Sequence, residues 1–305
     1  MKIATKQDVP SICVLLAAYN GQNWIQEQID SILSQKDVKV SLFISVDLST
    51  DDTYSLCNNY ENKYKNVSVL PYGDSFSSAS KNFFHLFKYV DIEGFDYVAL
   101  SDQDDIWMSE KLERAVSTLL NCECDAYSSD VMAFWSSGKT KLIKKSYPQK
   151  SLDYFFESSG PGCTFVIKSF QAELFKSFLI SNWSKVGHVC LHDWLLYAFI
   201  RGSGFRWVID DKPLMLYRQH NANVVGANSG FLGILKRLKM LRSHWYVNEV
   251  YKIHRLISPS SDFQFNVLFI ITNFWQMRRR PRDAIILLIL TILGMNRYSK
   301  LKDKK

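Results

Sequence analysis

Paired cysteines are the first thing the 305-residue sequence lacks. Cys13, Cys57, Cys122, Cys124, Cys163 and Cys190 show no spacing of a disulfide framework or a zinc knuckle, which points to a reducing compartment. His188, Cys190, His192 and Asp193 lie close together, but no zinc-protease glutamate stands between the histidines and no Cys-x-x-Cys accompanies them, so the pattern argues against zinc. A signal peptide is absent as well: Met1 to Pro10 is polar, and the apolar run Ile12 to Ala18 is short and ends in Tyr-Asn-Gly, as a strand does. No apolar run reaches the ~20 residues needed to span a bilayer, and no nucleic-acid recognition motif is present. Disorder is excluded by composition, with 47% hydrophobic and only 22% charged residues.

What the sequence does have is a concentration of carboxylates. Tyr97 to Leu100 forms a short apolar run of strand-forming residues, followed at once by Asp102, Asp104 and Asp105. Ligands of α/β sheets sit at such strand ends. Like charges this close repel, and a hard cation such as Mg²⁺ or Mn²⁺, held by one or two carboxylates plus substrate phosphate, relieves the repulsion. In an extended or turning segment Asp102 and Asp104 project to the same side and can face one ion. A polar turn capping the next helix is the competing account of the same residues.

Strand and helix alternate through the first hundred residues. Ser11 to Ala18, Val38 to Val46, Val67 to Pro71 and Phe95 to Leu100 are expected as strands. Helices are expected around Trp24 to Leu33, over Tyr54 to Lys65 and over Asn82 to Val90. The alternation implies an α/β fold with a doubly wound, mostly parallel, Rossmann-like sheet and a site along one edge.

Ala18-Tyr19-Asn20-Gly21, Asp47-x-Ser49-x-Asp51-x-Thr53 and Ser101-Asp102-Gln103-Asp104-Asp105-x-Trp107 with Lys111 resemble glycosyltransferase family 2. Within it, the resemblance is to rhamnosyltransferase-like members that build bacterial surface polysaccharides such as O-antigen. Gly160-Pro161-Gly162-Cys163-Thr164-Phe165, His192-Asp193-Trp194, and Tyr217-Arg218-Gln219-His220 with Asn223 to Gly226 continue the match in the family's order, from Ser11 to Ala227. The resemblance implies a GT-A fold, a nucleotide-diphosphate sugar donor, inversion, and a divalent Mg²⁺ or Mn²⁺. On the donor side it implies Ala18, Tyr19, Asp47, Lys81, Asp102, Gln103 and Arg218, with Asp47 on the nucleotide base and Asp102 on the ribose or sugar. Asp104 is implied as a metal ligand. It also implies Asp193 as the general base, and Gly162, Cys163, Thr164, His192 and Trp194 on the acceptor side. One departure stands out: the family's Asp-Asp-Gly-Ser is here Val46-Asp47-Leu48-Ser49, so one acid and the turn glycine are missing.

Several of these residues also have readings of their own. Asp193 lies among Leu191, Trp194, Leu195 and Leu196, surroundings that raise a carboxyl pKa toward that of a useful base, and it equally suits a helix start. His220 can give a nitrogen to the metal or a donor to the diphosphate, or be a solvated loop histidine. Arg218 can pair with phosphate through its planar fork. Gly160 to Thr164 suits holding an acceptor sugar and also suits a plain loop.

The charge is uneven. From Phe231 onward there are 15 Lys and Arg against 4 Asp and Glu, leaving 22 against 26 in residues 1–230. Phe231, Ile234, Leu235, Leu238, Leu241 and Trp245 share one face of a helix flanked by Lys236, Arg237, Lys239 and Arg242, and Arg278-Arg279-Arg280-Pro281-Arg282 precedes a short apolar run. The division expected is a catalytic domain over 1–228, with a donor half (1–110) and an acceptor half (111–228), and a basic helical segment over 229–305. That segment is expected to lie on an anionic membrane surface, on the cytoplasmic face where a lipid-linked oligosaccharide acceptor would be met; a helical subdomain packed on the catalytic domain is the alternative. No nucleic-acid partner is expected. Two other functions stay open: a binding scaffold that has lost catalysis, and a nucleotidyltransferase, which would leave His192-Asp193-Trp194 without a task.

Overall fold

The computed structural model describes residues 9–220, 245–259 and 266–294. The first part alternates as expected: β1 (Ser11–Ala18), α1 (Ile25–Leu33), β2 (Lys39–Val46), α2 (Thr53–Lys63), β3 (Val67–Val69), α3 (Ala79–Tyr89) and β4 (Tyr97–Asp102). There follow β5 (Ile106–Trp107), α4 (Lys111–Asn121), β6 (Ala126–Ser129), β7 (Val131–Trp135), β8 (Thr140–Ile143) and α5 (Asp153–Phe156). After a 3₁₀ turn (Gly162–Thr164) come β9 (Val166–Lys168), α6 (Ser169–Ser181), α7 (Trp183–Val186), α8 (His192–Gly202), β10 (Trp207–Asp210) and β11 (Met215–Gln219). The C-terminal part supplies α9 (Trp245–Ile257), α10 (Val267–Met277) and α11 (Pro281–Ile292).

The central sheet has seven strands in the order β10-β6-β9-β4-β1-β2-β3. All run the same way except β9, which pairs antiparallel with both β4 and β6. Both faces are covered, which is why β1 reads as an unbroken apolar run. Ile12, Val14, Leu16 and Ala18 join α1 and α4 in one core, while Cys13, Leu15 and Ala17 join α3, α6 and α8 in the other. A second, four-stranded sheet, β5-β11-β7-β8, stands beside the first. Its pairing of β11 with β7 and β5 brings Arg218 back to the carboxyl end of β4.

Two features were not foreseen from the sequence. Cys122 and Cys124 are within bonding reach of each other, because Glu123 between them turns through φ 52°. The arginine run does not all face outward. Arg279 is buried: its Nη1 donates to Asp153 Oδ2 at 3.2 Å and its Nη2 to the Ser158 carbonyl at 2.6 Å, while its backbone N–H donates to Glu157 Oε1 at 2.6 Å. Arg278 donates to the Phe156 carbonyl and the Tyr246 hydroxyl. With Val250, Ile253, Ile270, Met277 and Leu287 in the core beside α5 and α8, helices α9 to α11 pack on the catalytic part. The expected amphipathic stretch Phe231 to Leu241 lies outside the described residues.

A buried ion pair that loses one partner leaves an uncompensated charge. Arg279→Ala is therefore expected to cost about 3–5 kcal/mol, read by equilibrium urea denaturation; a change within about 0.5 kcal/mol, as at an ordinary surface site, would contradict the clamp.

Candidate active site

The floor of the site is the pair of chain exits from β1 and β4. Tyr19 donates its N–H to Gln103 Oε1 and accepts from Gln103 Nε2, both at 2.7 Å, so the amide expected on the donor side shapes the wall of the pocket. Gly21 is needed for this fit, since a Cβ there would lie 2.2 Å from Gln103 Oε1. Asn20, at φ 47°, donates its N–H to Ser49 Oγ; Gly21 donates to Thr53 Oγ1; Gln22 donates to Asp51 Oδ2. The Ser49-x-Asp51-x-Thr53 pattern thus holds the β1–α1 turn in place.

Asp47 is buried at the end of β2. Its Oδ1 accepts from the Leu48 and Phe76 N–H groups at 2.8 Å, and Oδ2 accepts from the Ser77 N–H at 3.1 Å. The departures at Val46 and Leu48 have a structural account. Val46 is a core residue, and Leu48 closes its turn with negative φ by donating to Asp47 Oδ1 and to the Asp74 carbonyl, so no glycine is required. Tyr19 and Leu48 are both about half exposed at these strand ends.

At the end of β4 the expected metal residues come together: His220 Nε2 lies 2.6 Å from Asp104 Oδ2. The imidazole stacks on Trp24 at 4.2 Å, a partner not foreseen from sequence. Arg218 donates its N–H to Asp105 Oδ1 and its Nε to the Asp104 carbonyl, and its guanidinium pairs with Glu27. Burial first, and then the Asp104 charge, pushes the Asp102 carboxyl up to about 7 and raises Asp105 well above the usual carboxylate range. Among the described residues Asp105 Oδ2 has no hydrogen-bond partner. Nearby, burial lowers the Lys111 ammonium to about 7, with its Nζ 3.5 Å from the Trp107 ring centroid.

Carboxylates whose pKa values are raised by burial and then by one another's charge, a buried carboxylate oxygen without a partner among the described residues, and a carboxylate–imidazole contact fit a divalent cation taking oxygen and nitrogen ligands. Asp102, Asp105 and Cys163 also place ligand atoms within 4.8 Å of one another. Cys163 and Asp105 are fully buried, however, and Asp105 is tied to the Arg218 backbone, so this triple faces inward. Asp104 and His220, which are not fully buried, are the residues that could hold a cation on the open side.

Asp193 lies in the first turn of α8. Its Oδ1 accepts from the Trp194 N–H at 2.7 Å. Burial pushes its carboxyl up to about 6, against the Trp194 N–H, the Lys145 charge and a Ser158 hydrogen bond, which all pull down. The predicted acceptor segment does reach it: a Cβ on Gly162 would lie 2.6 Å from His192 Nε2 and 3.2 Å from the Asp193 Cβ. The imidazole of His192 stacks on Phe83 at 4.0 Å, and burial lowers its pKa to about 3.

Three expected acceptor residues point elsewhere. Cys163 and Thr164 are fully buried, with Thr164 Oγ1 bonded to the Pro161 carbonyl, and Trp194 is a core side chain whose indole N–H donates to the Tyr154 carbonyl. They support the site from behind. Lys81 is exposed on the first turn of α3, next to Ser80, whose hydroxyl bonds the Cys190 carbonyl and the His192 N–H. Trp24, Glu27, Ser158 and Lys145 are site residues that sequence reasoning missed. No motif marks them, because they meet the others only through long-range packing.

A mostly parallel sheet of this kind has counterparts among solved structures. S. aureus TarS in complex with UDP-GlcNAc superposes with TM-score 0.53 at 14% identity, over 94% of this chain and 88% of that one. The mannosyltransferase PcManGT from Pyrobaculum calidifontis, in complex with GDP-Man and Mn²⁺, does so with TM-score 0.53 at 14% identity, over 96% and 88%. The fold is that of the GT-A glycosyltransferases. The family model "Glycosyl transferase family 2" matches residues 13–178. A dTDP-rhamnosyl transferase, RfbG of Shigella flexneri, is 43% identical over 288 residues, 92% of this chain and 100% of that protein. The protein belongs to glycosyltransferase family 2 and is a glycosyltransferase.

Proposed function

We propose that the protein transfers rhamnose, with inversion, from a dTDP-linked donor to a lipid-linked glycan during assembly of a bacterial surface polysaccharide. The similarity to RfbG over nearly the whole chain supports the donor. The observation that carries the chemistry is Asp193, whose carboxyl burial pushes up to about 6 and whose charge is felt by Asp102 at the end of β4, the strand that leads to the Asp104–His220 pair.

Inversion in one step needs a base on the acceptor hydroxyl and stabilisation of charge on the departing diphosphate. Asp193 takes the proton, with its Oδ1 held by the Trp194 N–H. Asp104 and His220 would hold Mg²⁺ or Mn²⁺, which supplies positive charge at the diphosphate when bound. Asp47 Oδ2, with a single backbone donor, keeps a lone pair for a base N–H, and Tyr19 and Leu48 border the same pocket. Asp102, half-buried behind Asp104, is placed for the ribose or sugar hydroxyls.

We also place the protein on the cytoplasmic face of the membrane. Among the described residues no helix is long and apolar enough to cross a bilayer. Leu268, Ile292 and Leu293, at the shared end of the α10–α11 hairpin, are 71%, 64% and 66% exposed, and Arg297, Lys300, Lys302, Lys304 and Lys305 follow directly in sequence. Such an apolar end with basic neighbours suits anionic lipid.

A donor screen tests the reading. Thermal shift and slow hydrolysis are measured with a panel of nucleotide sugars, with and without Mn²⁺ or Mg²⁺. dTDP-rhamnose is expected to raise Tm only with metal and to release dTDP. Pyrophosphate release would instead indicate a nucleotidyltransferase, and an unresponsive protein that still binds anionic vesicles would be a binding scaffold.

A further inference from the structure

Helix α9 carries a fully buried carboxylate. Glu249 lies at helical spacing with Val250, Ile253 and Leu256, the residues that α9 contributes to the core. A leucine would pack there without the cost of burying a charge, so the acid has to be accounted for by what it bonds. Its Oε2 accepts the Cys190 N–H at 2.9 Å, and its Oε1 meets Lys252 Nζ at 2.5 Å. Lys252 reaches further and donates to the His188 carbonyl at 2.8 Å. Both members of the ion pair therefore end on one short stretch of backbone between α7 and α8.

That stretch leads directly into the base. Cys190 stands three residues before Asp193, and Ser80 of α3 holds it from another side: the Ser80 hydroxyl donates to the Cys190 carbonyl at 2.5 Å and accepts the His192 N–H at 3.0 Å. The Cys190 backbone is thus gripped at its N–H by α9 and at its carbonyl by α3. Beyond Asp193, the Trp194 ring stacks on Tyr246, also of α9, with centroids 5.7 Å apart. Helix α9 contacts the chain on both sides of the base. The residue that opens α8, Leu191, makes no side-chain cap, so the first turn of that helix is held by these outside groups.

We propose that the Glu249–Lys252 pair is a positioning device for Asp193: it fixes the backbone from His188 to Cys190 and so the direction in which the first turn of α8 presents the carboxylate. The inference rests on the reading of Asp193 as the general base. Neither Glu249 nor Lys252 touches a reacting atom; they act through the Cys190 N–H and the His188 carbonyl. A misplacement of about 1 Å can cost about 100-fold in rate, which gives a buried ion pair a use where apolar residues would pack as well.

The test uses the full chain and two measurements. The main variant is Glu249→Leu with Lys252→Met, which removes both bonds and leaves no unpaired charge in the core. Amide hydrogen exchange over residues 188–194 is expected to quicken about tenfold or more in this variant and to stay near wild type in Glu249→Gln, which keeps an oxygen for the Cys190 N–H. The second measurement is release of dTDP from dTDP-rhamnose with Mn²⁺, water serving as acceptor. The double variant is expected to lose about tenfold or more in kcat with the donor KM unchanged, and Glu249→Gln to restore most of it. Placed on Asp193→Asn, the same double change should cost nothing further, because the group it positions is already gone. Val250→Ala, which loosens α9 without touching the His188–Cys190 backbone, is expected to lower Tm but not kcat.

Unchanged exchange over 188–194 in the double variant would overturn the proposal. So would an equal loss of rate on the wild-type and Asp193→Asn backgrounds, or a loss that Val250→Ala reproduces, since each would make the pair a general support of the fold. A wild-type protein that neither binds nor hydrolyses dTDP-rhamnose would refute the transferase reading instead, and the exchange rates would still decide whether the pair holds the segment.

Discussion

Asp193→Asn is expected to lower transfer by about 10²–10⁴-fold while the metal-dependent thermal shift with dTDP stays close to wild type. The asparagine keeps the volume and an oxygen for the Trp194 N–H, but it cannot accept a proton. The same carboxyl sets the pH dependence. Its pKa is raised to about 6, and only the deprotonated form is a base, so the rate should be low on the acid side, climb through pH 6 and level off about one unit above it. Coincident loss of donor binding in Asp193→Asn would make the residue structural, and a rate independent of pH between 5 and 7 would remove it as the base.

Asp104→Ala should abolish the metal-dependent part of donor binding. Asp104 supplies the carboxylate oxygen nearest to the His220 imidazole, and with it gone only one strong ligand of the pair remains. A drop of at least about 100-fold in metal affinity is expected, beyond the 10–100-fold typical of outer-shell partners. The measurement is titration of Mn²⁺ in the presence of dTDP, followed by thermal shift, with chelated wild type as reference. Wild-type metal dependence in Asp104→Ala would dismiss the pair as the cation holder.

The first half of the fold was legible in the sequence because burial on both faces of the sheet leaves unbroken apolar runs. β1 was expected at Ser11 to Ala18 and occupies those residues; the carboxylates at Asp47 and Asp102 marked strand ends because little else tolerates such crowding. The second sheet was not legible. β5 has two residues, and β11 pairs with β7, more than eighty positions earlier, through contacts that no local periodicity records. The site divided in the same way. Asp104 lies against His220 and Gly162 against Asp193, whereas Cys163, Thr164 and Trp194 turn into the core. A motif states which residues occur together but not which face each one presents. The arginine run shows a similar limit: Arg279 is buried because Asp153 and Glu157, over 120 positions away, meet it.

That buried arginine also bears on how freely the C-terminal part can be exchanged. Arg279 sits between α10 and α11 and grips the Ser158 carbonyl, while the Ser158 hydroxyl donates to the Gly160 carbonyl at the segment flanked by Asp193 and Lys145. The hairpin is therefore not a detachable anchor in the manner of a tethered tail. A chimera carrying another protein's membrane-binding helices would have to reproduce this grip to keep its acceptor side in shape, and a truncation before Arg278 would remove a support of the reaction centre together with the proposed point of attachment.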